Sequence, residues 1–266
     1  MNMLAVAVSV AQEAGAYLMR NRSNIGRAVA KGDQFNVVTE ADIGAERLIL
    51  DGLHRAFPNH STIAEESGVR LHPESPYTWV VDPLDGTSNY AAGLPWYGVL
   101  IALMRDATPE LGVMYLPESS ELFVAESGRG AFLNGQRIRV TEETELSNVL
   151  WAYGMDAPDV LHEQRDGRLL FDVLRSVRNL RTTNSLVDSA FTCTGRLGGM
   201  LNRSTRLWDI AAPSLVVQES GGLYTTITGD LLSFDLTETA HDKEYAVLAG
   251  APALHRQVAE LVRKHL

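Results

Sequence analysis

The sequence predicts a fold of mixed α+β and α/β class, arranged as two lobes, for this chain of 266 residues. Up to about residue 144, two helical stretches are followed by short β-rich runs with hairpin-like turns, a pattern typical of helices beside a mostly antiparallel sheet. From residue 145 onward strands and helices alternate, which is typical of an α/β unit. We therefore expect an N-terminal lobe over residues 1–144 and a C-terminal lobe over residues 145–266.

The N-terminal lobe is predicted from two kinds of periodicity. Helical spacing of apolar residues covers residues 2–22 and 42–57. Short runs rich in β-branched and aromatic residues predict strands at 61–66, 77–82, 97–104, 110–116 and 121–127, with a further hairpin over 128–140.

The C-terminal lobe shows the alternation of an α/β unit. We predict strands at 149–154 and 245–250, and helices at 158–177, 185–195, 208–222 and 252–265. The four tryptophans lie beside apolar runs and are expected in the core: Trp79, Trp96, Trp151 and Trp208. The seven histidines do not have the spacing of metal ligands, so we expect them at the surface or at helix caps.

Bulk composition excludes several classes of protein. A formal net charge of −10 argues against a sequence-independent nucleic-acid binder, which needs a basic face. The single cysteine, Cys193, rules out a disulfide within this sequence and fits a reducing compartment. The apolar start has no basic residue before it, and the longest uncharged run, 86–104, contains Asn, Gly and Pro. We therefore expect a soluble cytoplasmic protein without a signal peptide or a membrane span.

The stretch VVDPLDGTSNY, residues 80–90, places two carboxylates three residues apart around a proline. Asp82 is predicted to end a strand, and Pro83 fixes a turn that brings Asp85 and the carbonyl of Leu84 near it. Two carboxylates held together repel each other unless a cation lies between them. Hard divalent cations such as Mg²⁺ bind oxygen ligands of this kind, so the stretch predicts a metal site.

The residues that follow Asp85 have the features of a phosphate site. Gly86, Thr87 and Ser88 are small, and they offer backbone N–H groups and hydroxyls to a bound anion. DPLDG alone would also fit an ordinary β-turn, because Asp, Pro and Gly are all turn formers.

Further acidic residues favour the metal interpretation. Glu65 and Glu66 end another apolar strand, Asp209 opens a helix, and Asp42 follows a short strand in a stretch that also contains Lys31. Asp209 and Asp42 would also fit the role of a helix N-cap.

Together these residues resemble the inositol monophosphatase family of metal-dependent sugar-phosphate phosphatases. The matching motifs are AEES (64–67), WVVDPLDGTSNY (79–90) and LWDIAAPSLVVQESGG (207–222), and the resemblance runs over nearly the whole chain. It implies a layered α-β-α-β-α sandwich and hydrolysis of a small phosphate monoester, with inositol-1-phosphate as the leading substrate. It also implies two or three Mg²⁺ ions, lithium sensitivity and a homodimer. No nucleic-acid or membrane partner is expected.

The resemblance also assigns the metal ligands. It implies that Glu65, Asp82 and the Leu84 carbonyl hold the first ion. Asp82, Asp85 and Asp209 would hold the second ion and, weakly, a third.

The resemblance assigns the remaining roles as follows. Thr87, paired with Asp42, would orient and deprotonate the attacking water, and Glu65 would assist. The backbone N–H groups of Gly86 and Thr87, with Ser88 beside them, would bind the phosphate. Lys31 would lie on a mobile loop that screens charge near the metals.

The region that meets the alcohol half of the substrate matches the family less well. Asn202 stands where the animal inositol enzymes carry a glutamate that binds inositol hydroxyls, and the family's small-residue run is altered around Ser185. Asp85 and Asp209 are also expected to touch the substrate. Arg203 and Arg206 lie nearby in the sequence and would fit a second anionic group, although solvated loop arginines are the commoner case.

Several readings therefore stay open. Histidinol phosphate and fructose-1,6-bisphosphate are alternative substrates on the same scaffold. A non-catalytic regulatory or binding protein is the alternative from a different class.

Overall fold

The computed structural model of the chain describes residues 2–22, 29–30, 37–38, 40–155 and 163–265. Its α-helices are α1 (Met3–Asn21), α2 (Glu40–Ala56), α3 (Thr87–Ala91), α4 (Glu163–Ser176), α5 (Val187–Cys193), α6 (Leu207–Glu219) and α7 (Pro252–Arg263). A short 3-10 helix spans Leu146–Asn148.

The strands form three sheets. In chain order they are β1 (Val29–Ala30), β2 (Val37–Val38), β3 (Ser61–Ala64), β4 (Gly68–Arg70), β5 (Tyr77–Asp85), β6 (Gly98–Arg105), β7 (Thr108–Leu116), β8 (Glu121–Glu126), β9 (Gly130–Leu133), β10 (Gln136–Arg137), β11 (Leu150–Gly154), β12 (Asn179–Arg181), β13 (Gly199–Thr205), β14 (Leu223–Thr226) and β15 (Tyr245–Gly250).

The larger sheet has the order β10-β9-β8-β7-β6-β5-β3-β4 and is antiparallel except where β3 pairs with β5. The smaller sheet has the order β12-β11-β13-β15-β14, in which β11 is parallel to both of its neighbours and β15 is antiparallel to both of its own. Strands β1 and β2 form a separate antiparallel pair. The mostly antiparallel first half is thus confirmed, and the second half is mixed.

Helices and sheets alternate in five layers. Helices α1 and α2 contact the larger sheet, α6 contacts both sheets with α5 beside it, and α7 contacts the smaller sheet with α4 beside it. Buried apolar side chains fill the spaces between these layers as three clusters, of which the middle one extends across α5 and α6 from the larger sheet to the smaller. The middle cluster joins Leu100 of β6 to Ile210 of α6, and so draws on both predicted lobes. The α-β-α-β-α sandwich is confirmed, while the division at residue 144 stays a prediction.

The end of β5 differs from the prediction. Strand pairing continues to Asp85 instead of ending at Asp82, because Asp82 lies opposite Leu100 and Asp85 lies opposite Gly98. One extra residue is therefore accommodated on β5 as a bulge, and Pro83, which has no N–H to donate, lies within it. Residues three apart on a regular strand point to opposite faces. The bulge brings Asp82 and Asp85 to the same side.

Other elements differ in smaller ways. Strands β12, β13 and β14 were not predicted; β13 begins at glycine and carries polar residues, so its alternation is weak. Helix α4 is seen from Glu163, and residues 158–162 of the predicted helix lie outside the described part of the chain. Among the helices that the structure describes, none is both long enough and apolar enough to cross a membrane.

Two predictions about single side chains are wrong. Trp96 is 39% exposed, because it lies on the loop that joins α3 to β6 and not within a strand. His255 is buried on α7, and its Nε2 lies 2.8 Å from Thr225 Oγ1, so it is not a surface or capping residue. Burial lowers the pKa of His255 to about 4. Trp79, Trp151 and Trp208 lie in the core as expected.

Candidate active site

An acidic cleft of about 230 Å³ lies where the end of β5 meets the start of α3, α5 and α6. None of the described residues that line it is a lysine or an arginine. Most of the predicted site residues line this cleft: Glu65, Asp82, Leu84, Asp85, Gly86, Thr87, Ser88, Ser185, Asn202 and Asp209. Lys31 lies outside the described residues.

Three aspartates form one carboxylate group in the cleft. One oxygen from each of Asp82, Asp85 and Asp209 lies within 4.8 Å of the others. Asp82 Oδ1 accepts the Leu84 N–H at 3.0 Å, and Asp85 Oδ1 accepts the Leu186 N–H at 2.5 Å. These bonds fix the two carboxylates of β5 against the backbone.

Asp209 is not the N-cap of α6 that the sequence also allowed, because the N-cap is Arg206 and Asp209 lies three residues later. Its Oδ2 accepts the backbone N–H of Arg206 at 2.6 Å at the start of α6. Its carboxylate also belongs to the three-aspartate group. The helix-start bond and a place among the metal ligands are thus compatible.

A second carboxylate group comprises Asp42, Glu65 and Glu66, again with one oxygen of each within 4.8 Å of the others. Asp42 comes from the first turn of α2 and is buried. The expected first ligand set joined Glu65 to Asp82 and the Leu84 carbonyl. That set stays a prediction, and the structure adds Asp42 and Glu66 as near neighbours of Glu65.

The carboxylates of the cleft perturb one another. Burial raises the pKa of Asp82 well above its usual range, and the nearby charges of Glu65, Asp85 and Asp209 raise it further. Burial and then the charge of Asp209 do the same for the pKa of Asp85, against the opposing effect of the Leu186 N–H. A divalent cation would remove this repulsion, and the oxygen donors fit Mg²⁺.

Thr87 and Asp42 are brought together as predicted. The Thr87 hydroxyl lies 3.2 Å from Asp42 Oδ1 and 3.0 Å from the Leu84 carbonyl oxygen. A hydroxyl has one proton, so it donates to one of these acceptors at a time. The pair links α3 to α2 across the edge of the cleft.

Gly86 is required by its backbone conformation. Its φ is +85°, and a Cβ at this position would lie 2.5 Å from the carbonyl oxygen of Trp96. Any side chain would therefore displace the start of α3 and, with it, Thr87 and Ser88.

The end of the cleft around Ser185 contains residues that the sequence did not identify. Asp188 lines the cleft, is buried, and accepts the Thr183 hydroxyl at 2.6 Å. Burial raises the pKa of Asp188 to about 7. Asn89 Nδ2 donates to the carbonyl oxygens of Thr183 at 2.8 Å and of Trp96 at 3.0 Å. These side chains fix the loop that precedes Ser185, and no local sequence motif marks them.

The two nearby arginines do not contribute to the cleft lining. Arg206 Nη1 donates to the carbonyl oxygens of His241 at 3.4 Å and Asp242 at 3.3 Å, and Nη2 pairs with Glu244 at 3.1 Å. Neither Arg203 nor Arg206 is among the described residues lining the cleft. The Arg206 side chain therefore binds neighbouring backbone carbonyls and Glu244.

Comparisons with known proteins agree over the full length. Residues 1–266 match the inositol monophosphatase family. A putative Nus factor SuhB from Neisseria meningitidis is 32% identical over 265 residues, which cover 99% of this chain and 98% of the relative. The crystal structure of the extragenic suppressor protein suhB from Bartonella henselae shares 31% identity, with a TM-score of 0.88 over 98% of both chains. A Thermotoga maritima IMPase shares 27% identity, with a TM-score of 0.87 over 100% of this chain and 98% of its own. The chain belongs to the inositol monophosphatase family.

Proposed function

We propose that this protein hydrolyses a small phosphate monoester in a Mg²⁺-dependent reaction, with inositol-1-phosphate as the leading substrate. The observation that carries the proposal is the position of Thr87, which hydrogen-bonds Asp42 of one carboxylate group and follows Asp85 of the other by two residues. Membership of the inositol monophosphatase family supports the same reaction.

The proposed metal ligands are four carboxylates and one backbone carbonyl. Glu65, Asp82 and the Leu84 carbonyl would hold one ion, and Asp82, Asp85 and Asp209 a second and, weakly, a third. When bound, these ions neutralise the phosphate, lower the pKa of a coordinated water and stabilise the leaving oxygen.

Thr87 and Asp42 are proposed to guide the attacking water. When Thr87 Oγ1 donates its proton to Asp42 Oδ1, 3.2 Å away, its lone pairs are available to accept a hydrogen bond from that water. The water oxygen adds to phosphorus as the ester P–O bond breaks. One water proton passes to Thr87 while the threonine proton passes to Asp42. The departing alkoxide takes a proton from solvent, and Asp42 later returns one to solvent.

The phosphate is proposed to lie against the backbone N–H groups of Gly86 and Thr87. Asn202 and Ser185 line the same cleft and would contact the alcohol. Asn202 has no charge where the animal inositol enzymes carry glutamate, so the alcohol half of the substrate could differ from inositol. Histidinol phosphate and fructose-1,6-bisphosphate are the alternative substrates on the same scaffold.

A substrate panel tests the reaction. Phosphate release is measured on inositol-1-phosphate, histidinol phosphate, fructose-1,6-bisphosphate and 3′-phosphoadenosine 5′-phosphate, each with Mg²⁺ and with EDTA. We expect release that EDTA abolishes, with the highest kcat/KM on inositol-1-phosphate. Activity that persists in EDTA would contradict the proposal.

The name of one relative favours a second candidate, a regulatory or binding role that does not require hydrolysis. The Neisseria meningitidis protein is named a putative Nus factor. The absence of a nucleic-acid partner accordingly stays a prediction. The two candidates can be separated by expressing the Asp85→Asn variant in a strain that lacks the protein. The variant restores the wild-type phenotype only if hydrolysis is not needed. The complete set of acidic residues in the cleft favours hydrolysis.

A homodimer and lithium inhibition are proposed on the family resemblance, and a cytoplasmic location on the single cysteine, which fits a reducing compartment. Lithium would act by replacing a weakly held Mg²⁺ near Asp85 and Asp209. Light scattering would measure the assembly, and phosphate release in millimolar Li⁺ would test the inhibition.

A further inference from the structure

The turn after β3 carries Glu65, which lines the cleft, and Glu66, which belongs to the same carboxylate group. It is contacted by a third acidic residue, Glu46, which lies on α2 and is only 4% exposed. Glu46 follows Asp42 by four residues, so the two side chains lie on the same face of the helix. Glu46 is not among the residues that line the cleft.

Both oxygens of Glu46 bind the backbone of this turn. Oε2 accepts the N–H of Glu66 at 2.8 Å, and Oε1 accepts the N–H of Ser67 at 2.9 Å. Hydrogen bonds from N–H groups to a carboxylate are stronger than those between neutral groups, and two bonds from one carboxylate also fix its direction.

The other side of the turn is held separately. His241 Nε2 lies 3.0 Å from the Ala64 carbonyl oxygen. A carbonyl only accepts, so Nε2 carries the proton. The ring of His241 also packs on Trp208, with centroids 4.6 Å apart, next to Asp209. The Glu65 backbone is therefore held on both sides, by α2 and by the segment beside α6.

We propose that Glu46 is a positioning residue for metal binding, whose carboxylate fixes the turn carrying Glu65 and Glu66 relative to Asp42. This inference rests on the proposed Mg²⁺-dependent function. Metal ligands are commonly oriented by a surrounding set of hydrogen-bonded residues, and loss of such a residue weakens metal affinity by roughly tenfold to a hundredfold. Helix α2 thus supplies Asp42 and, through Glu46, also fixes the positions of Glu65 and Glu66.

The chain offers a matched control for this contact. Glu219, at the end of α6, accepts the N–H groups of Gly128 at 2.7 Å and Gly130 at 2.6 Å. The chemistry is the same, a carboxylate that binds two backbone N–H groups of a turn. Glu219 lies ten residues beyond Asp209, about 15 Å along the helix, and does not line the cleft.

The test compares Mg²⁺ binding to the full-length wild-type protein and to Glu46→Gln, Glu46→Asp and Glu219→Gln by calorimetry. Glutamine has one acceptor oxygen, and its NH₂ would face an N–H donor. We expect the Kd for Mg²⁺ to rise roughly tenfold or more in Glu46→Gln. Glu46→Asp, which keeps the carboxylate, should bind more tightly than Glu46→Gln. Glu219→Gln should keep the wild-type Kd even if its melting temperature falls as far as that of Glu46→Gln.

Three outcomes would overturn the inference. If Glu46→Gln keeps the wild-type Kd for Mg²⁺, the turn does not need the Glu46 carboxylate, although the proposed function would stand. An equal rise of Kd in Glu219→Gln would show a general loss of stability. If the wild-type protein does not bind Mg²⁺, the proposed function itself fails. Aspartate is one methylene shorter than glutamate and cannot reach both N–H groups from the same position, so we expect Glu46→Asp to bind Mg²⁺ more weakly than the wild type. Should Glu46→Gln not fold, a wild-type Kd in Glu46→Asp would overturn the inference in its place.

Discussion

The Thr87 hydroxyl lies 3.2 Å from Asp42 Oδ1, which joins two residues that are 45 positions apart in the sequence. The contact places a proton donor and a buried carboxylate at the edge of the acidic cleft. In the proposed reaction this is the path that the water proton follows.

Replacement of Thr87 by valine removes the hydroxyl and keeps the shape of the side chain. We expect kcat to fall by about a hundredfold to ten-thousandfold, the usual worth of a positioned proton acceptor. Mg²⁺ affinity should change much less than kcat, because the Thr87 hydroxyl contacts the Leu84 carbonyl but is not itself a proposed metal ligand. Thr87→Ser, which keeps the hydroxyl, is the control and should retain most of the activity. A fully active Thr87→Val would exclude this role.

Replacement of Asp85 by asparagine should have opposite effects on metal binding and on stability. It removes a charge from the three-aspartate group, so Mg²⁺ affinity should fall by more than the roughly hundredfold upper range for a supporting residue. In EDTA the same change relieves repulsion with Asp209 and should raise the melting temperature. Asp51→Asn removes a charge at an exposed position and is the control, which should keep the wild-type affinity for Mg²⁺. Tight Mg²⁺ binding by Asp85→Asn would place the metal elsewhere.

Replacement of Gly86 by alanine tests the start of α3. Its φ of +85° and the 2.5 Å approach of a Cβ to the Trp96 carbonyl combine two costs, a left-handed backbone and a clash. We expect a loss of about 2 to 5 kcal/mol in the free energy of unfolding. Gly93→Ala is the matched control, because Gly93 has a φ of +76° with nothing within 4 Å of its Cβ. Equal losses in a denaturant titration would show that the clash is unimportant.

Sequence reasoning reached the fold and most of the cleft because its signals are local. Asp82 and Asp85 lie in one short motif, and the apolar run Trp79–Val81, which β5 buries on both of its faces, is visible in the sequence. It misplaced the end of that strand, because a bulge depends on the pairing with β6. Glu46 was missed because its partners, Glu66 and Ser67, are brought close only by the tertiary fold. Asp188 bonds the nearby Thr183, but its place in the cleft with Asp85 also depends on the tertiary fold.

The stability of the metal-free protein should depend on pH in a direction set by its buried carboxyls. The folded-state pKa values of Asp82 and Asp85 are raised well above the ordinary range, and that of Asp188 is raised to about 7. In the unfolded chain an aspartate has a pKa of about 3.9. Between these values the folded protein holds protons that the unfolded chain has released. The free energy of unfolding should therefore fall as pH rises from about 4 to about 7.

Mg²⁺ should reverse this trend, because metal binding requires the carboxylates to be deprotonated. Melting temperatures measured from pH 5 to pH 8, a range that includes the pKa of about 7 for Asp188, in EDTA and in excess Mg²⁺ would show it. We expect the increase caused by Mg²⁺ to be larger at the upper end of this range. Asp85→Asn should lose most of that increase, while Asp51→Asn keeps it. An increase that is the same at every pH would mean that proton release from Asp82 and Asp85 is not coupled to metal binding.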